Sequence, residues 1–240
     1  MRKFWGFYDN GKYKVGCNGA TMYLYDSSGR ELAKFKDIPY AYRGAFQQES
    51  NIFVLRSTEG RIAIYDCDEQ KLLHKFRFSD VDGSQDDGFC FSADGKYFLN
   101  IERIGSSLRS RLSIYETQSF SPVMRLFEND SSLNLSDIEY NPFVNQYNIL
   151  FFVRDNHGMY SQGYVGELKK DQIINTQPLD LKEYNFLRSY KSLESTGFTE
   201  KAMEWSGLHY AGYTNDEILR LSNRHIDMFS FLQIAGEVVK

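Results

Sequence analysis

Phe89-Cys90-Phe91-Ser92-Ala93-Asp94-Gly95-Lys96-Tyr97 alternates aromatic with small or polar residues, turns at Asp94-Gly95 and then resumes an apolar run. An Asp-Gly or Asn-Gly pair between alternating stretches is a strong short-range hairpin signal, because both residues tolerate φ above zero. The pattern recurs at Trp5-Gly6-Phe7-Tyr8-Asp9-Asn10-Gly11-Lys12-Tyr13. Two looser copies lie at 46–52, which keeps the spacing around Asn51, and at 140–147, which carries one extra residue.

A second element follows each copy. Met22-Tyr23-Leu24-Tyr25-Asp26, Ile62-Ala63-Ile64-Tyr65-Asp66 and Leu112-Ser113-Ile114-Tyr115-Glu116 are short alternating strands ending in Tyr and an acid. A turn and a further strand come after each, at 31–35, 72–78 and 122–127. Tyr164-Val165-Gly166-Glu167-Leu168 is a fourth, looser copy. In the last quarter, Ile218-Leu219-Arg220-Leu221 aligns with the third strand, and His225 to Phe231 alternates like a fourth strand beyond the turn Ser222-Asn223-Arg224. A helix over 215–233 capped by Asn215 is the alternative there, since short apolar runs cannot be separated by periodicity alone. The strand reading gives five units, at about 1–36, 37–78, 79–128, 129–181 and 182–240. Four strands in roughly 40–50 residues is the period of propeller blades. The expected fold is therefore a single all-β domain, a five-bladed β-propeller of four-stranded antiparallel blades.

The third strand ending in aromatic plus acid, with the 91–97 hairpin before it, resembles the blades of degenerate WD-repeat-like bacterial β-propellers. The likeness runs through nearly the whole chain. It departs from that family in having Tyr25, Tyr65 and Tyr115 where Trp is usual, and no Gly-His pair opens a blade. The His–Asp network and the partners of that family are accordingly not carried over.

The chain has 240 residues, 42% hydrophobic and 16% aromatic, enough apolar surface for a core. Its 28 bases and 32 acids leave a net charge of −4 with no basic block, which argues against nucleic acid. No polybasic segment adjoins an amphipathic stretch, and no run of about 18 apolar residues is present, so no membrane association is expected. Arg2 and Lys3 resemble a signal n-region, but the apolar run fails by Asp9. Cys17, Cys67 and Cys90 are odd in number and far apart, which fits free thiols in a reducing cytoplasm.

His74, His157, His209 and His225 lack paired metal-ligand spacing, and no cofactor motif is present. Asp80, Asp82, Asp86 and Asp87 around Gly83 form a weak calcium candidate. The position that should carry a bidentate Glu is Phe91, and a solvated acidic connection is the preferred reading. Asp9, Asp87, Asp137 and Glu139 lie near first-strand ends, where a glycosidase would need paired carboxylates. Trp5 and Trp205 are the only tryptophans for sugar stacking, and few long loops remain to wall a subsite.

Propeller loops joining fourth to first strands and second to third strands share one face. On that face the sequence places Tyr40, Tyr42 and Arg43, the pair Arg109 and Arg111, and Asp155, His157 and Tyr160 in a turn. Tyr and Arg are frequently energetic at protein interfaces; the competing reading has Tyr40 and Tyr42 simply packing the start of a strand. The aromatic stretch 179–205 is expected to cover one face or contact a partner. The expectation is a non-catalytic, cytoplasmic protein-binding module without cofactor. The alternative is a carbohydrate-binding propeller, a lectin or glycoside hydrolase, and a glycan or other small molecule is an admissible ligand.

Overall fold

The computed structural model describes residues 2–48, 50–79, 87–105 and 109–239. Up to residue 179 these form four sheets of four antiparallel strands, each a meander of consecutive strands. The first sheet holds β1 (Gly6–Asp9), β2 (Tyr13–Cys17), β3 (Met22–Asp26) and β4 (Glu31–Phe35). The second holds β5 (Ala41–Phe46), β6 (Ile52–Ser57), β7 (Arg61–Asp66) and β8 (Lys71–Arg77). The third holds β9 (Phe89–Phe91), β10 (Tyr97–Ile104), β11 (Arg109–Glu116) and β12 (Pro122–Leu126). The fourth holds β13 (Leu133–Asn141), β14 (Gln146–Arg154), β15 (Tyr160–Lys169) and β16 (Gln172–Leu179).

Turn chemistry sets these meanders. Gly11 and Gly95 take φ of 86° and 68° in the first hairpins, and Asn145 takes 51° in the looser copy. Such angles suit Gly and Asn because a Cβ clash is absent or offset by local hydrogen bonding. The side chain of Asn10 accepts from the Lys12 and Tyr13 amides, and that of Asp94 accepts from the Lys96 amide.

Strand alternation buries both faces of the middle sheets. In the second sheet, Phe53, Leu55, Ala63 and Tyr65 pack with Val15, Cys17, Met22 and Leu24 of the first. Their neighbours Val54, Ile62 and Ile64 pack with Phe91, Phe98 and Tyr115 of the third. Leu99, Ile101 and Leu112 then meet Leu135, Ile138 and Ile149 of the fourth. Successive residues on a strand point to opposite faces, so one run of apolar residues serves two interfaces. β8 and β12 are largely exposed, so the outermost strands of these sheets meet solvent.

The expectation of a fifth blade over 182–240, and with it a wholly β chain, is corrected: this part is helical. It holds α1 (Leu181–Glu194), α2 (Glu200–Glu204), α3 (Gly207–Tyr210), α4 (Asn215–Ser222) and α5 (Met228–Val238). Capping decides the matter. Asp180 and Glu183 form a capping box at α1, and Thr214 and Glu217 form one at α4. Asp227 caps α5. Each box satisfies amides that a helix end would otherwise leave unpaired. Apolar residues recur at helical spacing, as in Met228, Phe231, Ala235 and Val238, and all of these are buried.

The helical segment stands between the fourth and first sheets. Leu150 and Val165, on the face of the fourth sheet turned from the third, pack with Leu187, Tyr190, Ile218 and Phe231. On the other side, the Phe7 amide donates to the Thr196 carbonyl (3.1 Å) and the Thr199 hydroxyl to the Trp5 carbonyl (2.8 Å). Between the second and third sheets, the buried Arg56 guanidinium donates to the carbonyls of Asp87, Gly88 and Ile101. No helix among the described residues is long and apolar enough to cross a membrane.

Candidate functional site

A cleft of about 750 Å³ opens where the first two sheets meet the helical segment. Its walls come from three places in the chain. Trp5 precedes β1, Tyr40 and Tyr42 stand at the start of β5, and Trp205 caps the C-terminal end of α2. Asn18, Arg43, Ser192 and Ser206 supply polar groups.

Local folding positions each of these. The Trp5 amide donates to the Cys17 carbonyl (2.7 Å), extending the pairing of β1 with β2 by one residue. The ring of Trp5 lies 5.9 Å from that of Tyr42 and 6.1 Å, edge on, from that of Trp205. Lys201 sets its ammonium 4.2 Å from the Trp5 ring centroid, a cation–π contact holding the indole from the side of α2. Tyr42 falls where the β5–β6 register shifts between Ala41 and Arg43. A bulge of this kind re-aims a side chain out of the regular alternation. Tyr40 has φ of 50° and is 60% exposed. An aromatic residue held in the left-handed region and turned to solvent is backbone strain at a candidate binding surface. Trp205 is 66% exposed.

Arg43 is buried, and its guanidinium donates to the Ser192 hydroxyl of α1. Deeper lies Asp137 of β13, whose carboxylate accepts from the Ile138 amide (2.8 Å) and rests against Gly88. A methyl on Gly88 would stand 1.8 Å from an Asp137 oxygen, so only glycine permits that approach. Burial pushes the Asp137 carboxyl up to about 7, against opposing pulls from Arg43, the Ile138 amide and Lys191.

The sequence-predicted residues divide. Tyr40, Tyr42 and Arg43 line the cleft. Arg111 turns inward instead, donating to Glu102 (2.8 Å) and Glu128 (2.5 Å). Its role in the sheet is corrected accordingly: it is an internal ion-pair partner rather than a surface contact. Tyr160 is half-buried and packs with Phe152 and Tyr184, ring centroids 5.3 and 5.4 Å away, against the margin of the core beneath the helices. Asp155 makes the β14–β15 turn by accepting from the His157 and Met159 amides, and His157 is exposed there. Arg109 begins β11. None of these five lines the cleft.

Of the weak calcium candidate, Asp80, Asp82 and Asp86 lie outside the described residues. Asp87 is buried and held by both oxygens to the Arg103 guanidinium at 2.7 Å. Among the acids considered for glycosidic chemistry, Glu139 is likewise taken up by Lys191, Asn148 and the Met228 amide. Asp9 pairs with Lys14 at 3.7 Å.

Trp205 joining Trp5 was beyond sequence reasoning, because the pairing depends on α2 folding back over β1. The aromatic density of 179–205 was the signal that pointed toward it. Ser192 and Asn18 carried no signal at all.

No protein-family model matches the chain, and no curated protein matches it. Among solved structures, the chain is similar to Kuenenia stuttgartiensis hydrazine synthase, with a TM-score of 0.53 at 14% identity. The match covers 72% of this chain and 52% of that one, so the chain spans about half the length of that relative. At this identity the likeness is one of fold.

Proposed function

We propose that the chain is a non-catalytic binding protein, a four-bladed propeller-like ring whose remaining place is filled by helices, and that its aromatic cleft seats a segment of a protein partner. The observation that carries this is the convergence of Trp5, Tyr40, Tyr42 and Trp205 on one open cleft beside Arg43. Trp, Tyr and Arg dominate the energetics of protein interfaces, most of all where a pocket desolvates them. A cleft of about 750 Å³ is wide enough to take a projecting side chain with its flanking backbone. Asp87 and Glu139, two of the four acids considered for glycosidic chemistry, are committed to internal cations. Cys17 and Cys67 are buried free thiols, as suits a reducing cytoplasm.

The test is to pan a random-peptide display library against the whole chain and against a Tyr40→Ala, Trp205→Ala variant. Peptides that bind the chain at least tenfold more tightly than the variant support the reading. A library yielding only peptides indifferent to the two substitutions overturns it.

One observation favours a second reading. Two tryptophans share the cleft with Asn18, Arg43 and two serines, an apolar wall and polar groups that also suit a sugar. A glycan array probed with the same two proteins decides between them, since a sugar ligand gives array signal that the variant loses.

A further inference from the structure

A second groove, of about 620 Å³, lies beside the aromatic cleft. It occupies the face of the first sheet that no other sheet covers. Val15, Cys17, Met22 and Leu24 point toward the second sheet. Alternation turns Phe7, Lys14, Gly16, Tyr23 and Tyr25 the other way, and the pairings of Phe7 with Gly16 and of Lys14 with Tyr25 set them side by side. Phe4 lies flat over Gly16, where a methyl would stand 2.6 Å from its ring. The helical segment reaches this face only along its edge, through Thr199, Glu200 and Lys201.

The floor is thus Phe4, Phe7 and Tyr25, and the lining carries four cations, Arg2, Lys3, Lys14 and Lys201, and one carboxylate, Glu200, with Glu31 and Asp9 reaching two of the cations from outside it. This stands out on a chain whose net charge is −4. Arg2 pairs with Glu31, Lys3 meets Glu200 at 3.3 Å and Lys14 meets Asp9 at 3.7 Å, all as exposed pairs of little net strength. Lys201 lies over the Trp5 ring, and no carboxylate among the described residues pairs with it. Trp5 and Lys201 form the ridge between the two hollows: Trp5, Ala202 and Trp205 line one, and Phe4, Thr199 and Lys201 line the other.

We propose that this groove extends the aromatic cleft into a two-part site, and that its occupant is the acidic, amphipathic continuation of the partner segment. Apolar side chains of that segment cover Phe4 and Phe7, and its Asp or Glu side chains meet the lysines of the rim. The inference rests on reading the cleft as the seat of a polypeptide. Charge complementarity selects the occupant. An apolar floor under four cations matches an acidic amphipathic chain and repels a basic one.

Peptides selected on the whole chain are resynthesised with each Asp and Glu replaced by the corresponding amide. All are then measured against the native chain, a Lys3→Glu, Lys14→Glu variant and a Trp205→Ala variant, at low and high salt. Circular dichroism and thermal unfolding confirm that the variants are folded. Selected peptides are expected to be enriched in acidic residues, and to weaken about tenfold on amide replacement or charge reversal, with a loss of salt dependence. Peptides lost on Trp205→Ala but indifferent to charge reversal overturn the two-part site and leave the cleft standing. Peptides indifferent to both, or a library that yields none, overturn both readings. So does binding confined to vesicles containing phosphatidylserine, which would assign the basic rim to a membrane surface.

Discussion

Lys191 of α1 reaches Glu139 of β13, ammonium to carboxylate at 2.5 Å, and the same nitrogen meets Glu194 at 2.7 Å and the Ile226 carbonyl at 2.8 Å. One buried cation therefore ties the fourth sheet, the first helix and the approach to α5. Burial alone would lower this lysine, yet the two carboxylates raise it, so it stays charged. Removing one member of a buried ion pair leaves the others uncompensated, at about 3–5 kcal/mol. Lys191→Met is expected to lower stability by that amount in urea unfolding. A loss under about 1 kcal/mol would show that the site is wet and the tie weak.

Asp137 makes stability depend on pH. Its folded carboxyl lies at about 7 against a reference of 3.8, so the fold favours the protonated form. The contribution is fully present below the reference value and is lost as pH rises through the folded value. Wild-type stability is expected to fall between about pH 4 and about pH 7 by a few kcal/mol from this group. In Asp137→Asn that component vanishes. Denaturant midpoints across the range check it, and parallel curves for the two proteins would refute it.

Gly197 follows α1 with φ of 71°, and a methyl there would stand 2.1 Å from the Phe7 carbonyl oxygen. Backbone cannot yield as a side-chain tip can. Gly197→Ala is expected to cost upward of about 2 kcal/mol, from strain at positive φ together with the displaced contact. Gly212→Ala is the matched control, also at positive φ (94°) but with nothing among the described residues within 4 Å of the added methyl. It should cost only about 1 kcal/mol. Equal losses in the two variants would remove the clash from the explanation.

Tyr40 combines strain with exposure, so its replacement separates stability from binding. Tyr40→Gly relieves a left-handed angle that costs a tyrosine roughly 1 kcal/mol. Its thermal midpoint is expected to stay level or rise by a few degrees, while affinity for cleft-binding peptides falls. A marked drop in midpoint would mean that the Tyr40 ring stabilises the fold.

Much of this was legible in the residues. Asp94-Gly95 and Asn10-Gly11 marked hairpins by their tolerance of positive φ, and the alternating runs ending at Tyr25, Tyr65 and Tyr115 marked third strands. Both signals are local, acting within a few residues of one another. The helices were legible too, in Asp180 with Glu183 and Thr214 with Glu217. The assumed repeat, however, drew Ile218 to Leu221 into a strand, and four residues of apolar pattern cannot contest that alone. Asn215 looked like the cap, whereas Thr214 holds that place. The cleft was half visible. Tyr40, Tyr42 and Arg43, which line it, fall within four residues of one another, so their grouping is visible in the sequence. Glu102 and Glu128 draw Arg111 inward and Tyr184 packs on the half-buried Tyr160, contacts with distant partners that no local pattern shows.

The junction of residues 5–8 with 195–199 joins parts of the chain about 190 residues apart through a few hydrogen bonds. Closing so long a loop is entropically late in folding, which makes this junction the natural place for opening to start. Both hollows straddle it, with Trp5 on one bank and Trp205 or Lys201 on the other. A ligand bound across them would act as a clasp, slowing unfolding of the whole protein and lengthening its lifetime.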